Sequence, residues 1–292
     1  MGIALRSQTR REALAGMARF AGGTLLSQGF FAKSALSVPA GYNPLLSVQT
    51  YIWVQRFQSQ NKALADGVQE MLAGIRRAGF RRVELIADFL KPDVRDKTLA
   101  LLEGNGLQMP ALYASSTLHE TEPAERSVAD IVELAQAVKG AGLRAIVTNP
   151  SPKPNQGRKS DAELDTQARY LNRLGGELQK QGMRLLVHHH IPELLENARE
   201  WRHQSQHTDP KLVRCCVDVE WAHRGGQEPL SFLREVGTRL ASLHVRNSEG
   251  GVWLEEFGAG DIDYEKVADY LKQIRYDGYL VVELAYEKDT KI

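Results

Sequence analysis

The chain has 292 residues, 42% hydrophobic and 25% charged, which is ordinary globular composition with enough apolar material for a sizeable core. A formal net charge of +1, with no dense Lys/Arg stripe interleaved with aromatics, supplies no field for a nucleic-acid backbone and argues against that class of partner. The two cysteines, Cys215 and Cys216, are adjacent in an apolar run, which argues against a disulfide framework and reads as buried thiols.

Residues 1–43 read as a leader. Thr9-Arg10-Arg11-Glu12-Ala13-Leu14-Ala15 opens a mostly apolar, small-residue stretch to about Leu36, broken by Arg19 and Lys33, and it resembles a twin-arginine export signal. The expectation is a periplasmic or secreted protein. The alternative is a cytoplasmic protein with an amphipathic leader. No uninterrupted apolar run reaches the ~18 residues of a membrane span, so stable membrane insertion is not expected.

Residues 44–292 alternate short β-branched runs with longer stretches of helical periodicity, the pattern of βα units on a parallel sheet. The predicted strands are Leu46 to Trp53, Arg82 to Ile86, Gln108 to Tyr113, Arg144 to Thr148, Arg184 to His188, Arg214 to Asp218, Ser242 to Val245 and Leu280 to Glu283. Helices are predicted at Asn61 to Arg77, Ala124 to Gly140, Ser160 to Gln181 and Tyr264 to Tyr276. Gly79, Gly106, Gly142, Gly182 and Gly278 punctuate the turns into the following strands. Eight strands in about 245 residues suit an α/β fold of the (β/α)8 TIM-barrel type, and no GxGxxG or GxxxxGK[ST] loop supports an open nucleotide-binding sheet. After Glu283 only nine residues remain, so the eighth helix is expected to be short or missing.

In such a barrel the functional groups stand at the C-terminal ends of strands. Four consecutive predicted strands end in ligand-type side chains: Val187-His188-His189-His190-Ile191-Pro192-Glu193, Val217-Asp218-Val219-Glu220, Leu243-His244-Val245-Arg246 and Val281-Val282-Glu283. Carboxylates directly after apolar runs are costly to bury without a partner, and a cation would partner all of them together. Mixed imidazole and carboxylate donors suit a divalent Mn, Co or Zn ion and argue against calcium. Because neighbours on a strand face opposite ways, His188 and His190 can share a side that His189 cannot.

These segments, in this order, resemble the xylose-isomerase-like TIM barrel family of sugar phosphate isomerases/epimerases, which includes inosose dehydratases and ketose epimerases. The resemblance spans roughly Leu45 to Glu287. It rests on His188-His189-His190-Ile191-Pro192-Glu193, similar to His-Asn-His-x-x-Glu, and on Asp218 followed by Gly225-Gly226-Gln227-Glu228-Pro229. His244-Val245-Arg246-Asn247, similar to His-x-Lys-Asp, and Gly258-Ala259-Gly260-Asp261-Ile262-Asp263, similar to Gly-x-Gly-x-Ile-Asp, complete it. By position the resemblance implies metal binding by His188, Asp218, His244 and Glu283. Many epimerases of the family carry Glu where His188 stands, so only Glu283 remains of their proton-moving glutamate pair, which raises dehydration or lyase chemistry. Glu193 either replaces His188 as ligand or caps the following helix.

The chemistry expected of such groups is proton transfer beside a carbonyl of a sugar, keto-sugar or glycoside held on the metal. His188, His190 and Glu84 are the candidate bases, Glu283 carries over as a catalytic carboxylate, and Arg246 is a candidate to neutralise a developing oxyanion. Tyr51, Trp53, Asn149, Trp221 and Glu193 are candidates for the substrate wall, with core packing the competing role of each aromatic. The partner expected is a small carbohydrate, unphosphorylated because no phosphate cradle is visible. Association into a homo-oligomer is compatible with such a barrel. The competing functions are a non-catalytic carbohydrate-binding barrel and a metal-dependent endonuclease at abasic DNA, the latter disfavoured by the neutral charge.

Overall fold

The structure is a computed structural model that describes residues 39–287; the twin-arginine-like segment lies outside the described residues. Eight parallel strands close a barrel: β1 Leu45–Gln49, β2 Arg82–Ile86, β3 Gln108–Tyr113, β4 Ala145–Thr148, β5 Arg184–Val187, β6 Val213–Asp218, β7 Leu240–Val245 and β8 Tyr279–Val282. Closure runs β1 against β8, with Leu45 paired to Tyr279 and Val48 to Val282. The helices are α1 Tyr51–Ser59, α2 Leu64–Arg77, α3 Arg95–Gly104, α4 Thr121–Val138, α5 Asp161–Lys180, α6 Ile191–His207, α7 Val219–Arg224, α8 Pro229–Val236 and α9 Tyr264–Gln273. This is the TIM-barrel architecture expected from the alternation of patterns. Among the described residues no helix is long and apolar enough to cross a membrane.

The first predicted strand is too long. It stops at Gln49, and Tyr51 to Ser59 is helical although its Tyr-Ile-Trp-Val opening has strand propensity. The deciding pattern is the three-residue spacing of Val54 and Phe57, which buries one helical face; Thr50 Oγ1 also accepts a hydrogen bond from Ile86 N–H at 3.2 Å and ends the strand. No helix follows β8 among the described residues. Instead the returning chain is fastened to α1, where Gln55 Nε2 donates to Tyr286 O at 2.9 Å and Gln55 Oε1 accepts from Tyr286 N–H at 2.8 Å.

The two-residue period of the strands divides the core. Leu112, Ile146, Leu185, Val187, Val217, Leu243 and Val245 face outward into the large core under the helices. A second, smaller cluster holds Ala111, Ala145, Val147, Leu186, Cys216 and Ala241. Continuing the same alternation upward brings His188 above Leu186 and Asp218 above Cys216. Four of the expected turn glycines, at 79, 106, 142 and 182, hold positive φ as helix stops do. Gly278 does not; a Cβ there would collide with the Ala241 carbonyl and the Tyr276 hydroxyl, so close packing is what requires glycine.

Candidate metal centre

His188 follows β5, Asp218 ends β6, His244 lies one residue before the end of β7, and Glu283 follows β8. The four are buried, and one ligand atom from each lies within 4.8 Å of the others. The strand ladder sets this directly: Asp218 pairs with His244 across β6 and β7, and Glu283 N–H donates to Val245 O at 3.2 Å.

A divalent ion suits the donors. Both ring nitrogens of His188 and of His244, together with Glu283 Oε2, are buried without a hydrogen-bonded protein partner. His244 does stand within ion-pair reach of two carboxylates, with Nε2 3.0 Å from Glu84 Oε1 and Nδ1 against Glu283 Oε2, but neither contact has hydrogen-bond geometry. Orphaned buried nitrogens and oxygens facing one another are costly without a cation. Two imidazoles and two carboxylates form a borderline donor set for Mn²⁺, Co²⁺ or Zn²⁺.

The electrostatics separate the groups. Burial, reinforced by His244 and His190, presses the His188 pKa well below the usual imidazole range, so the ring is neutral and ligand-ready. Burial also opposes a charge on His244, but Cys216, Glu84 and Glu283 beside it prevail and raise its pKa well above that range. Burial lifts Asp218 to about 6 against the pull of Arg246. Glu283 is held at about 2: burial works to raise it, and His244 and Arg246 outweigh that.

Arg246 is far from the exposed arginine that its strand-end position also allowed. It is 1% exposed, its Nη2 donates to Asp218 Oδ2 at 3.0 Å, and its Nη1 lies 3.6 Å from Glu283 Oε1. Trp221 and Trp253, set edge-to-face with centroids 5.1 Å apart, both border the guanidinium, their centroids 5.0 and 4.3 Å from Cζ. Trp253 comes from a hairpin, Ser248–Glu249 paired with Val252–Trp253, that follows β7. Arg224 ties that hairpin down: it stacks on Trp253 at 4.5 Å, donates to Gly251 O at 2.5 Å and pairs with Glu220 at 3.1 Å and Glu287 at 2.5 Å.

The structure places three of the expected site residues away from the barrel mouth or behind the ligand set. Glu84 is in the middle of β2 rather than at its end and is fully buried, its Oε1 3.0 Å from His244 Nε2. Trp53 lies on α1, 5.8 Å from the Phe57 ring and against Gly74 of α2, in the outer helical layer away from the barrel mouth. Glu193 is buried and accepts the His190 backbone N–H at 2.7 Å, the helix-capping alternative; burial and Glu200 raise it to about 7.

His190 is half-buried beside His188 and Trp221, with ring centroids 4.8 and 5.3 Å away, and burial lowers its pKa to about 4. His189 points the other way, packed between Trp201 and Phe232 at 4.7 and 5.4 Å. Asn149 is buried beyond β4 and leaves its Oδ1 unpartnered, while Tyr51 is 40% exposed just past β1. Sequence reading passed over Tyr113 and Trp253. Tyr113 ends β3, its ring meets His188 edge-on at 5.6 Å, and burial followed by Glu283 raises its pKa well above 10, which keeps the phenol protonated. The strand-end rule that found His188 also covers Tyr113; nothing comparable marks Trp253, whose place depends on the hairpin.

Comparison with known proteins agrees with this construction. The xylose isomerase-like TIM barrel family model matches residues 72–291. The inosose dehydratase of Clostridium perfringens is 25% identical over 253 residues, covering 77% of this chain and 84% of that protein. That of Bacillus velezensis is 25% identical over 244 residues, covering 74% and 80%. Among solved structures, D-psicose 3-epimerase from Clostridium cellulolyticum superposes with a TM-score of 0.67 at 14% identity, over 85% of this chain and 87% of that one. A sugar phosphate isomerase/epimerase from Parabacteroides distasonis gives 0.63 at 18% identity, over 89% and 91%; at these identities both establish the fold alone. With the family model covering all strands but the first, the chain belongs to the xylose isomerase-like TIM barrel family.

Proposed function

We propose that the chain is a divalent-metal-dependent enzyme that moves a proton beside the carbonyl of a sugar-like ketone and eliminates water from it, with a cyclic polyol ketone of the inosose type as the favoured substrate class. The observation that carries the reading is the convergence of four buried ligand groups, three of which, His188, His244 and Glu283, present nitrogen or oxygen atoms without a hydrogen-bonded partner. His188, Asp218, His244 and Glu283 would hold the ion. When bound, it supplies Lewis-acid polarisation of a carbonyl and a neighbouring hydroxyl.

The protein's own groups divide the proton work. His190 is neutral at ordinary pH, partly buried and beside the ligand set, so one of its ring nitrogens can take the C–H proton. Tyr113, protonated and edge-on to His188, can give its proton to a departing hydroxyl, which leaves as water as the C–O bond breaks. Glu283, which faces His244 and lies 3.6 Å from Arg246 within the ligand set, is assigned to binding. Trp221 and Trp253, braced by Arg246 and Arg224, would wall the site against solvent. Elimination is preferred to epimerisation because His188 stands where a second proton-moving carboxylate would be needed, while the proposed acid and base, Tyr113 and His190, each border His188.

The test is elemental analysis of the purified chain and of Glu283→Gln, followed by incubation of metal-loaded protein with keto-inositols and ketohexoses in deuterated water. Expected are about one ion per chain in the wild type, weakened in the variant, with deuterium entering beside the carbonyl and a dehydrated product. Saturable metal binding with neither exchange nor dehydration on any such ketone would dismiss the reading.

A further inference from the structure

A separate group of donors lies on the outer helical wall. On α6, His203 and His207 are one turn apart with rings stacked at 4.0 Å and only 13° between planes. Asp165 of α5 reaches across, its Oδ1 2.9 Å from His203 Nε2. One ligand atom from each of the three lies within 4.8 Å of the others. We propose that Asp165, His203 and His207 form a surface site for a borderline divalent cation of the Zn²⁺, Ni²⁺ or Cu²⁺ class.

A second observation prepares the site. His207 Nδ1 lies 2.8 Å from the His203 backbone carbonyl, and a carbonyl can only accept. Nδ1 therefore carries the hydrogen and the lone pair of the neutral ring is on Nε2, the arrangement by which a backbone acceptor orients a ligating histidine. The backbone beneath is also fixed: Asn172 Nδ2 donates to His207 O at 3.3 Å, and Asn172 Oδ1 accepts from Asp209 N–H at 2.8 Å, tying the end of α6 to α5. Two arginines one turn along the same helices are engaged elsewhere, Arg199 with Asp161 and the Lys159 carbonyl and Arg169 with Thr166 and the Tyr170 ring, which leaves Asp165 to His203. Ligation at His203 Nε2 moves that ring's proton to Nδ1 when the ring is neutral and releases one proton when it is charged. Two imidazoles with one carboxylate select borderline metals over Mg²⁺ or Ca²⁺, and three protein donors leave a position for water. Because α5 and α6 each supply ligands, the ion would clamp the two helices together.

The test titrates Zn²⁺ into the full chain by calorimetry while following the histidine ring signals by NMR. Wild-type protein should bind one equivalent that shifts the His203 and His207 rings, while His203→Gln and His207→Gln each lose that equivalent or bind it at least tenfold more weakly. Asp165→Asn should weaken it with both rings retained, and Glu283→Gln should leave it intact, which separates this site from the barrel centre. All three groups are at the surface, so the variants are expected to fold; should one fail, the other two decide. Unshifted His203 and His207 rings at saturating Zn²⁺, or equal zinc binding by wild type and His207→Gln, would overturn the proposal.

Discussion

Arg246 donates through Nη2 to Asp218 Oδ2 across 3.0 Å, with both side chains buried at the centre of the candidate ligand set. The guanidinium therefore provides part of the positive charge that Asp218 and Glu283 require before any ion arrives. Removing one partner of a buried pair strands the other charge, at about 3–5 kcal/mol. Arg246→Ala should lower metal-free stability by that order, and saturating Mn²⁺ or Co²⁺ should restore part of it because the ion replaces the lost charge. Denaturant unfolding with and without metal measures both; an equal loss in the two states would separate Arg246 from the ligand set.

Glu84 predicts a different phenotype. Its Oε1 lies 3.0 Å from His244 Nε2, so Glu84→Gln keeps the shape and removes the charge that orients the ring. Metal affinity is expected to fall roughly 10–100-fold, the usual range for an outer-shell carboxylate behind a ligating histidine. Calorimetric titration of the metal would show it, and unchanged affinity would make Glu84 a spectator.

The start of α5 gives a pH-dependent test away from the centre. Glu163 is lowered to about 2 by its bond to Lys153 and by the Ser160 backbone N–H, which donates to it at 2.6 Å, and Ser160 Oγ accepts from Glu163 N–H at 3.3 Å. A depressed carboxylate contributes stability that is complete above its unfolded value near 4.5 and is lost as pH falls from there toward 2. Glu163→Gln should flatten the stability profile in that window, and Ser160→Ala should cost about 1 kcal/mol at neutral pH. Urea unfolding at a series of pH values reads both.

Gly260 tests the Gly258-Ala259-Gly260-Asp261 segment. A Cβ there would strike the Ser248 carbonyl and come within 2.8 Å of Asn247 Cγ, so Gly260→Ala should destabilise by about 1–3 kcal/mol through overpacking. At Gly104, the last residue of α3, nothing lies within 4 Å of an added Cβ, and Gly104→Ala should be neutral or stabilising by up to about 1 kcal/mol. Thermal unfolding of the two variants should move in different directions or by clearly different amounts.

How much of this was legible in the sequence depended on whether the information was local. His188, Asp218, His244 and Glu283 each stand at or next to the end of an apolar strand run, so a positional rule finds them without coordinates. Trp53 and Glu84 were misread for opposite reasons. Strand-like residues at 51–54 concealed a three-residue helical spacing, and although the strand expected at Arg82 to Ile86 is the one observed, its central residue Glu84 was counted among the groups at the barrel mouth. Glu193 was left between ligand and cap because both follow from the same position, and only its bond to the His190 N–H decides.

The sequence by itself determined the alternation of eight strands with helices and the inward-facing series at their ends, because strand period and turn chemistry are properties of neighbouring residues. Tertiary structure alone decided that Arg246 packs against two tryptophans, that Glu84 stands behind His244, and that Asp165 of one helix meets His203 of the next. Those relationships join residues far apart in the chain. They depend on barrel closure, the path of a hairpin and the packing of helix on helix, distances that no local pattern encodes.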